Sequence, residues 1–124
     1  MTTTRDQADR ERRLSDLYLA FNRRDVPALL AAVTRDVRWP NGWEGGVVDG
    51  REDLAAYWRR QWAQIEPSVE PTAFTAEADG RIAVTVRQLV RDKRGTQLAD
   101  NVVTHVYRFV GELIAEMEIR DQRP

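Results

Sequence analysis

The sequence predicts an α+β domain in which helices come first and an antiparallel sheet follows. Up to about residue 65 the apolar residues recur at helical spacing. From Val69 to Arg120 they recur at every second position and are rich in β-branched side chains. Asp79-Gly80, Lys93-Arg94-Gly95 and Val110-Gly111 then cut the second half into strand-length pieces. No repeat, low-complexity run or flexible linker interrupts the 124 residues, so 1–124 reads as one domain.

The elements follow in order. Thr4 with Gln7 fits a capping box at the start of a first helix. Leu14, Leu17, Tyr18 and Phe21 fall at i, i+3, i+4 and i+7, one helical face, and the helix should stop near 22–24. Asp25 is the expected N-cap of a second helix, with Pro27 tolerated in its first turn. Its apolar face is Val26, Leu29, Leu30 and Val33. Asp36-Val37-Arg38-Trp39 reads as a short strand, with turn signals around it at Pro40-Asn41-Gly42 and Gly45-Gly46. A third helix should run from about Arg51 to Ile65 and end before Pro67. Its stripe is Leu54, Trp58, Trp62 (or Gln61) and Ile65. Strands are expected near 69–78, 81–92, 96–109 and 112–120.

Hairpin arithmetic assigns the faces. Pairing Asp92 with Thr96 makes partner numbers sum to 188, and pairing Phe109 with Leu113 makes them sum to 222. Both sums keep odd residues together on one side. That side holds Ala83, Thr85, Arg87, Leu89, Asn101, Val103, His105, Tyr107, Met117 and Ile119. The even side holds Ile82, Val84, Val86, Val102, Thr104, Val106, Ile114, Glu116 and Glu118. Three helices do not easily cover two apolar faces. The even face, with Val84, Val86, Val102 and Val106, is therefore expected to pack on a second copy as a homodimer; a peripheral loop is the competing cover.

Composition removes several classes of function. Nineteen basic and twenty acidic residues give a net charge of −1, so no field of one sign is available to hold nucleic acid or an acidic membrane. Cysteine is absent and histidine occurs once, which excludes disulfides, thiolate nucleophiles and His-rich metal sites. Neither GxGxxG nor GxxxxGK occurs. No metal, nucleotide or other cofactor is assigned. No window approaches 18 apolar residues, and the polar first 13 residues do not resemble a signal peptide, so a cytoplasmic protein is expected.

The residues that could carry chemistry gather in two places. Trp39, Trp43, Trp58 and Trp62 fall within 24 residues. They either fill the core or line an aromatic cleft for an apolar ligand. Trp43, in the Gly-rich stretch 40–46, is placed to act as a lid. His105 lies on the odd face between apolar neighbours, as a buried neutral histidine or as a pocket acid or base. Arg87 and Asn101 share that face and are the candidates for stabilising oxyanion charge, although an arginine there must be paired or solvated.

Several stretches resemble a known superfamily. Tyr18-Leu19-Ala20-Phe21-Asn22-Arg23-Arg24-Asp25 with Leu29-Leu30 looks like its first helix pair, and Asp36-Val37-Arg38-Trp39 like its first strand. Asp49-Gly50-Arg51-Glu52 leading into Ala56-Tyr57-Trp58 looks like its third helix start. His105-Val106-Tyr107-Arg108-Phe109 with Gly111-Glu112-Leu113-Ile114 looks like its final hairpin. The resemblance is to the SnoaL-like branch of the nuclear transport factor 2-like superfamily, which also holds ketosteroid isomerase and polyketide cyclases. It implies a cone-shaped curved sheet of five to six strands wrapped around three helices. It further implies a deep apolar pocket and dimers through the convex face.

The expected ligand wall is Tyr18, Trp39, Asn41, Trp43, Trp58, Trp62, Tyr107 and Met117. Steroid isomerisation does not carry over. The position of ketosteroid isomerase's helix tyrosine falls at Leu17, with Tyr18 about 100° away around the helix. The position of its catalytic base falls near Asn41, and that of its strand acid on His105. Dehydratases of this fold use a histidine with an acidic partner, a part open here to Glu44 or Asp100. Two readings follow. One is an enzyme of proton transfer, cyclisation or dehydration using His105, and the other is a non-catalytic module that binds a small apolar molecule.

Overall fold

The computed structural model describes residues 4–42 and 44–123. Helix α1 spans Thr4–Asn22, α2 Val26–Ala31 and α3 Arg51–Gln64. The strands are β1 (Val33–Pro40), β2 (Val47–Asp49), β3 (Ile65–Ala76), β4 (Ile82–Asp92), β5 (Gln97–Val110) and β6 (Leu113–Arg123). They form one curved sheet in the order β2-β1-β6-β5-β4-β3. Every pair is antiparallel except β1 with β6. That parallel pair joins the first half of the chain to the last strand, where Ile114 N–H donates to the Ala32 carbonyl at 2.9 Å. Among the described residues no helix is long and apolar enough to cross a membrane.

Most elements form where local chemistry places them. Asp25 caps α2 by accepting from the Ala28 N–H at 3.2 Å. The capping-box contact of α1 depends on the Thr4 side chain, which lies outside the described residues. Val33, expected on the α2 face, is instead the buried first residue of β1. The short β2 has no counterpart among the expected strands. β3 starts at Ile65 and runs through Pro67 and Pro71, four residues ahead of expectation. It sits at the sheet edge, where a missing N–H costs no ladder bond.

The register differs from the hairpin arithmetic because of two bulges and a last turn one residue shorter than expected. The β4–β5 turn begins as expected, with Asp92 N–H bonded to the Thr96 carbonyl at 2.9 Å and Arg91 opposite Gln97. A bulge then sets Val90 opposite Ala99, and every later pair sums to 189. A slip of one residue turns the whole strand over. Ile82, Val84 and Val86 therefore face the helices with Val103, His105 and Tyr107, and all six are buried. Arg87 turns outward. The last hairpin starts with Val110 opposite Leu113 and gains Ala115 as an extra residue. His105 consequently meets Ile119 rather than Met117, and the parity of the inner face survives.

The expected dimer face is corrected accordingly. Val84 and Val86 are fully buried in the core and cannot meet a partner. On the outer side Val106 is also covered, whereas Val102 is half exposed. Ion pairs occupy much of that side: Arg81–Glu118 (2.6 Å), Arg120–Glu77 (2.7 Å), Arg108–Glu116 (3.3 Å) and Arg87–Asp100 (2.9 Å).

Candidate functional site

The helices and the inner side of the sheet line a partly open cavity of about 140 Å³. Helices α1 and α2 give it Leu17, Tyr18, Phe21 and Leu29, and α3 gives it Tyr57, Trp58 and Gln61. Trp39 and Pro40 come from β1, Val103, His105 and Tyr107 from β5, and Met117 and Ile119 from β6. Gly42, Pro67, Val69, Gln88 and Val90 complete the lining. No Asp, Glu, Lys or Arg lies among the described lining residues. A cavity of roughly this size has room for one benzene-sized ring.

Three polar side chains meet in its wall. Tyr18 follows Leu14 by four residues on the buried stripe of α1. His105 and Tyr107 are two apart on β5 and so leave the sheet on the same side. Tyr18 Oη lies 2.9 Å from His105 Nδ1 and 2.7 Å from Tyr107 Oη. All three are buried, and each satisfies a polar group that burial would otherwise strand. Burial pushes the His105 pKa down to about 4, so the ring is neutral at neutral pH. Burial also pushes both tyrosines above their usual range, for Tyr107 against a lowering by its bond to Tyr18. No other hydrogen bond engages His105 among the described residues, and its Nε2 is left to the cavity that the ring lines.

Neither carboxylate considered for His105 reaches it. Glu44 accepts two bonds from Arg60, at 2.9 and 3.0 Å, and one from Asn41. The Arg60 bonds, followed by the Asn41 bond, lower the Glu44 pKa to about 2. Asp100 is held by Arg87 on the outer side. A tyrosine hydroxyl takes the place that an acid was expected to fill.

The other expected site residues divide. Tyr18, Trp39, Trp58, Tyr107 and Met117 line the cavity. Trp62 stands behind Trp58, stacked at 6.3 Å between ring centres, with the Arg24 guanidinium 5.1 Å from its own. Asn41 pins the loop that follows β1. Its Oδ1 accepts from Glu44 N–H at 2.6 Å, and its backbone pairs with Gly45 and Gly46. Both glycines have positive φ, 91° and 82°, which a side chain would resist. Trp43 lies outside the described residues. Arg87 is corrected from cavity to outer face by the bulge at Leu98 in β5. Asn101 stays on the inner side, opposite Gln88, with its Oδ1 buried and unbonded.

Sequence reasoning missed the Tyr18–His105 bond, because it sought an acid. It also missed Tyr57 and Gln88. Tyr57 was readable at three residues past Leu54, and Gln61 already stood as the alternative to Trp62 on the stripe.

Comparison with known proteins agrees with this architecture. No curated protein matches the chain. Among solved structures it is similar to an NTF2-like protein of unknown function from Burkholderia pseudomallei, with 28% identity, TM-score 0.78, and coverage of 90% of this chain and 89% of that one. It is similar in fold to TerC co-crystallised with polyporic acid, at 22% identity and TM-score 0.78 over 90% of each chain. It is also similar in fold to SalBIII, an epoxide hydrolase/cyclase-like enzyme of pyran ring formation in the polyether salinomycin. That match has 20% identity and TM-score 0.78 over 92% of this chain and 91% of the other. The family model described as SnoaL-like domain matches residues 14–117, nearly the whole folded span, and the chain belongs to the SnoaL-like family.

Proposed function

We propose that the chain takes a small, apolar, oxygen-bearing molecule into this cavity and moves a proton on it through His105. One observation carries the reading: a neutral imidazole, fixed through Nδ1 by Tyr18, with Nε2 left to an uncharged cavity. The hydroxyl pair supports two arrangements. With Nδ1 accepting from Tyr18, Nε2–H donates to a ligand oxygen. With Nδ1–H donating to Tyr18, Tyr18 donates to Tyr107 and Nε2 presents its lone pair. A proton can then leave one ligand atom for Nε2 and return to another, which requires no outside reactant. The solved relatives with polyporic acid and with a pyran-forming role are consistent with small-molecule chemistry on this fold.

The depressed basicity of His105 and the uncharged lining favour a second reading, binding without catalysis. Both readings are tested by titrating the protein with apolar ketones, phenols and aromatic acids, using tryptophan fluorescence. Hydrogen–deuterium exchange at the carbon next to the carbonyl of each ligand that binds then follows in heavy water. Exchange that His105→Ala slows by about 10²–10⁴-fold is the expected result. Binding without exchange selects the second reading, and no binding by any class overturns both.

Self-association is proposed in a revised form, through the outer sheet face around Val102, Thr104 and Thr85 rather than the buried valines. Sedimentation at the single-chain mass of 14.3 kDa across micromolar concentrations would exclude it.

A further inference from the structure

We propose that Gly42 sets the width of the cavity's mouth, which opens between it and Ile119, and so decides which rings reach His105. The inference rests on the reading of the cavity as a small-molecule site. Of the described lining residues only Gly42 and Ile119 are exposed, Ile119 to 37%. Gly42 belongs to the loop after β1, and Ile119 lies on β6 directly opposite His105. Cross-strand partners leave the sheet on the same side, so the exposed edge of the cavity borders the histidine. The loop is held on both sides of position 42. Asn41 N–H donates to the Gly46 carbonyl and Gly45 N–H to the Asn41 carbonyl, both at 2.9 Å. Glu44 is clamped to Arg60 of α3.

Neither usual reason for a glycine applies at 42. The chain has seven glycines, and the other six all have positive φ, where a side chain is strained. The φ of Gly42 lies outside that region. Close approach of another group is the second reason, and it fails as well. A β-carbon at 42 would stand 3.7 Å from Ile119 Cδ1, an ordinary van der Waals contact. Beyond its chain neighbours it would come within 4 Å of nothing else described. Glycine also loses more backbone entropy on folding than alanine, so its presence needs another reason. What position 42 gains is empty space. A longer side chain would extend from a β-carbon already touching Ile119, on the exposed edge of the cavity. Gly42 has no polar side-chain group and Ile119 is aliphatic, so passage between them is selected by width rather than by side-chain hydrogen bonds.

The test follows benzene, a probe small enough for the cavity, by relaxation-dispersion NMR of the full chain, with the Val103 and Met117 methyls as reporters. Benzene should enter the wild-type chain, and Gly42→Leu should slow its entry by about ten-fold or more. Gly42→Ala, which adds only the β-carbon, should slow it by less. Ile119→Ala in the Gly42→Leu chain should restore entry, because it removes the other side of the gap. Entry as fast in Gly42→Leu as in wild type overturns the inference and leaves the cavity reading standing. Equal slowing by alanine and leucine traces the effect to the backbone rather than to bulk, and also overturns it. So does slowed entry that Ile119→Ala fails to restore, which places the obstruction elsewhere. Failure of benzene to enter the wild-type chain overturns the cavity reading itself. Should Gly42→Leu fail to fold, Ile119→Trp narrows the same gap from β6, and unchanged entry in that variant overturns the inference.

Discussion

On β5, Thr104 and Arg108 look outward while Val103, His105 and Tyr107 look inward, and the two sides solve the problem of polarity differently. Outside, arginines meet carboxylates: Arg108 with Glu116, Arg81 with Glu118, Arg87 with Asp100. Water and salt screen such pairs, so each contributes little to stability. Inside, the three polar groups stay uncharged and bond to one another. Low polarity strengthens those bonds and would make any unpaired member expensive. The lesson is that residue type alone does not say where chemistry sits. The outer face holds most of the charge of the sheet, whereas the inner face holds a polar group that faces a cavity.

The contrast is broken most strongly by opening the inner wall. Trp58 is nearly fully buried, with Trp39 at 5.5 Å and Phe21 at 6.5 Å between ring centres. Trp58→Ala should cost about 3–5 kcal/mol in chemical denaturation. A loss below about 1 kcal/mol would show that the wall is not close-packed.

Acid should break it next. The His105 pKa falls from 6.5 to about 4 on folding, so the unfolded chain binds the extra proton between those values. His105 therefore stabilises the fold fully above pH 6.5, and that contribution is lost as pH falls toward 4. The loss amounts to about 3 kcal/mol. Denaturation across this range in wild type and in His105→Asn isolates it, because an asparagine oxygen can still meet Tyr18 but cannot titrate. Parallel pH curves for the two proteins would show that His105 is not buried in its neutral form.

Tyr18→Phe removes the hydroxyl shared by His105 and Tyr107, leaving two buried groups without partners. It should cost about 1–3 kcal/mol, and Tyr107→Phe, which leaves the Tyr18–His105 bond intact, should cost less. The reverse order in thermal unfolding would place Tyr107 at the centre of the network instead.

How much of this was legible depends on the kind of signal. Helical stripes and alternation report on one residue and its near neighbours, and they located α1, α2, α3 and the last four strands to within a few residues. The Asp25 cap was readable because capping is local. Bulges are not local in the same way. Nothing in the sequence around Leu98 or Ala115 marks an extra residue, yet one bulge in β5 turned over the whole of β4 relative to it and carried Arg87 out of the cavity. β2 was missed because three residues carry no period. The partner of His105 was missed for a different reason. Tyr18 and Tyr107 were both expected in the wall, but only the packing of α1 against the sheet brings them to one histidine.

Arg87 gives the smallest effect and the sharpest test of that register. Its guanidinium makes two bonds to Asp100, at 2.9 and 3.2 Å, and more than half of its side chain is exposed. Arg87→Ala should leave the unfolding midpoint essentially unchanged, since an exposed pair gains little over its separately hydrated partners. Arg87→Glu should do slightly more, because it sets like charges together beside Asp100 and Glu70, and added salt should erase the difference. Neither variant should alter the affinity of whichever ketone or phenol binds the wild-type protein. Were Arg87 on the cavity side, removing it would strip a cation from the cavity, and affinity for an oxygen-bearing ligand would fall by about ten-fold or more. That fall, with stability intact, would return Arg87 to the inner face and overturn the one-residue slip on which the whole assignment of inside and outside in β4 depends.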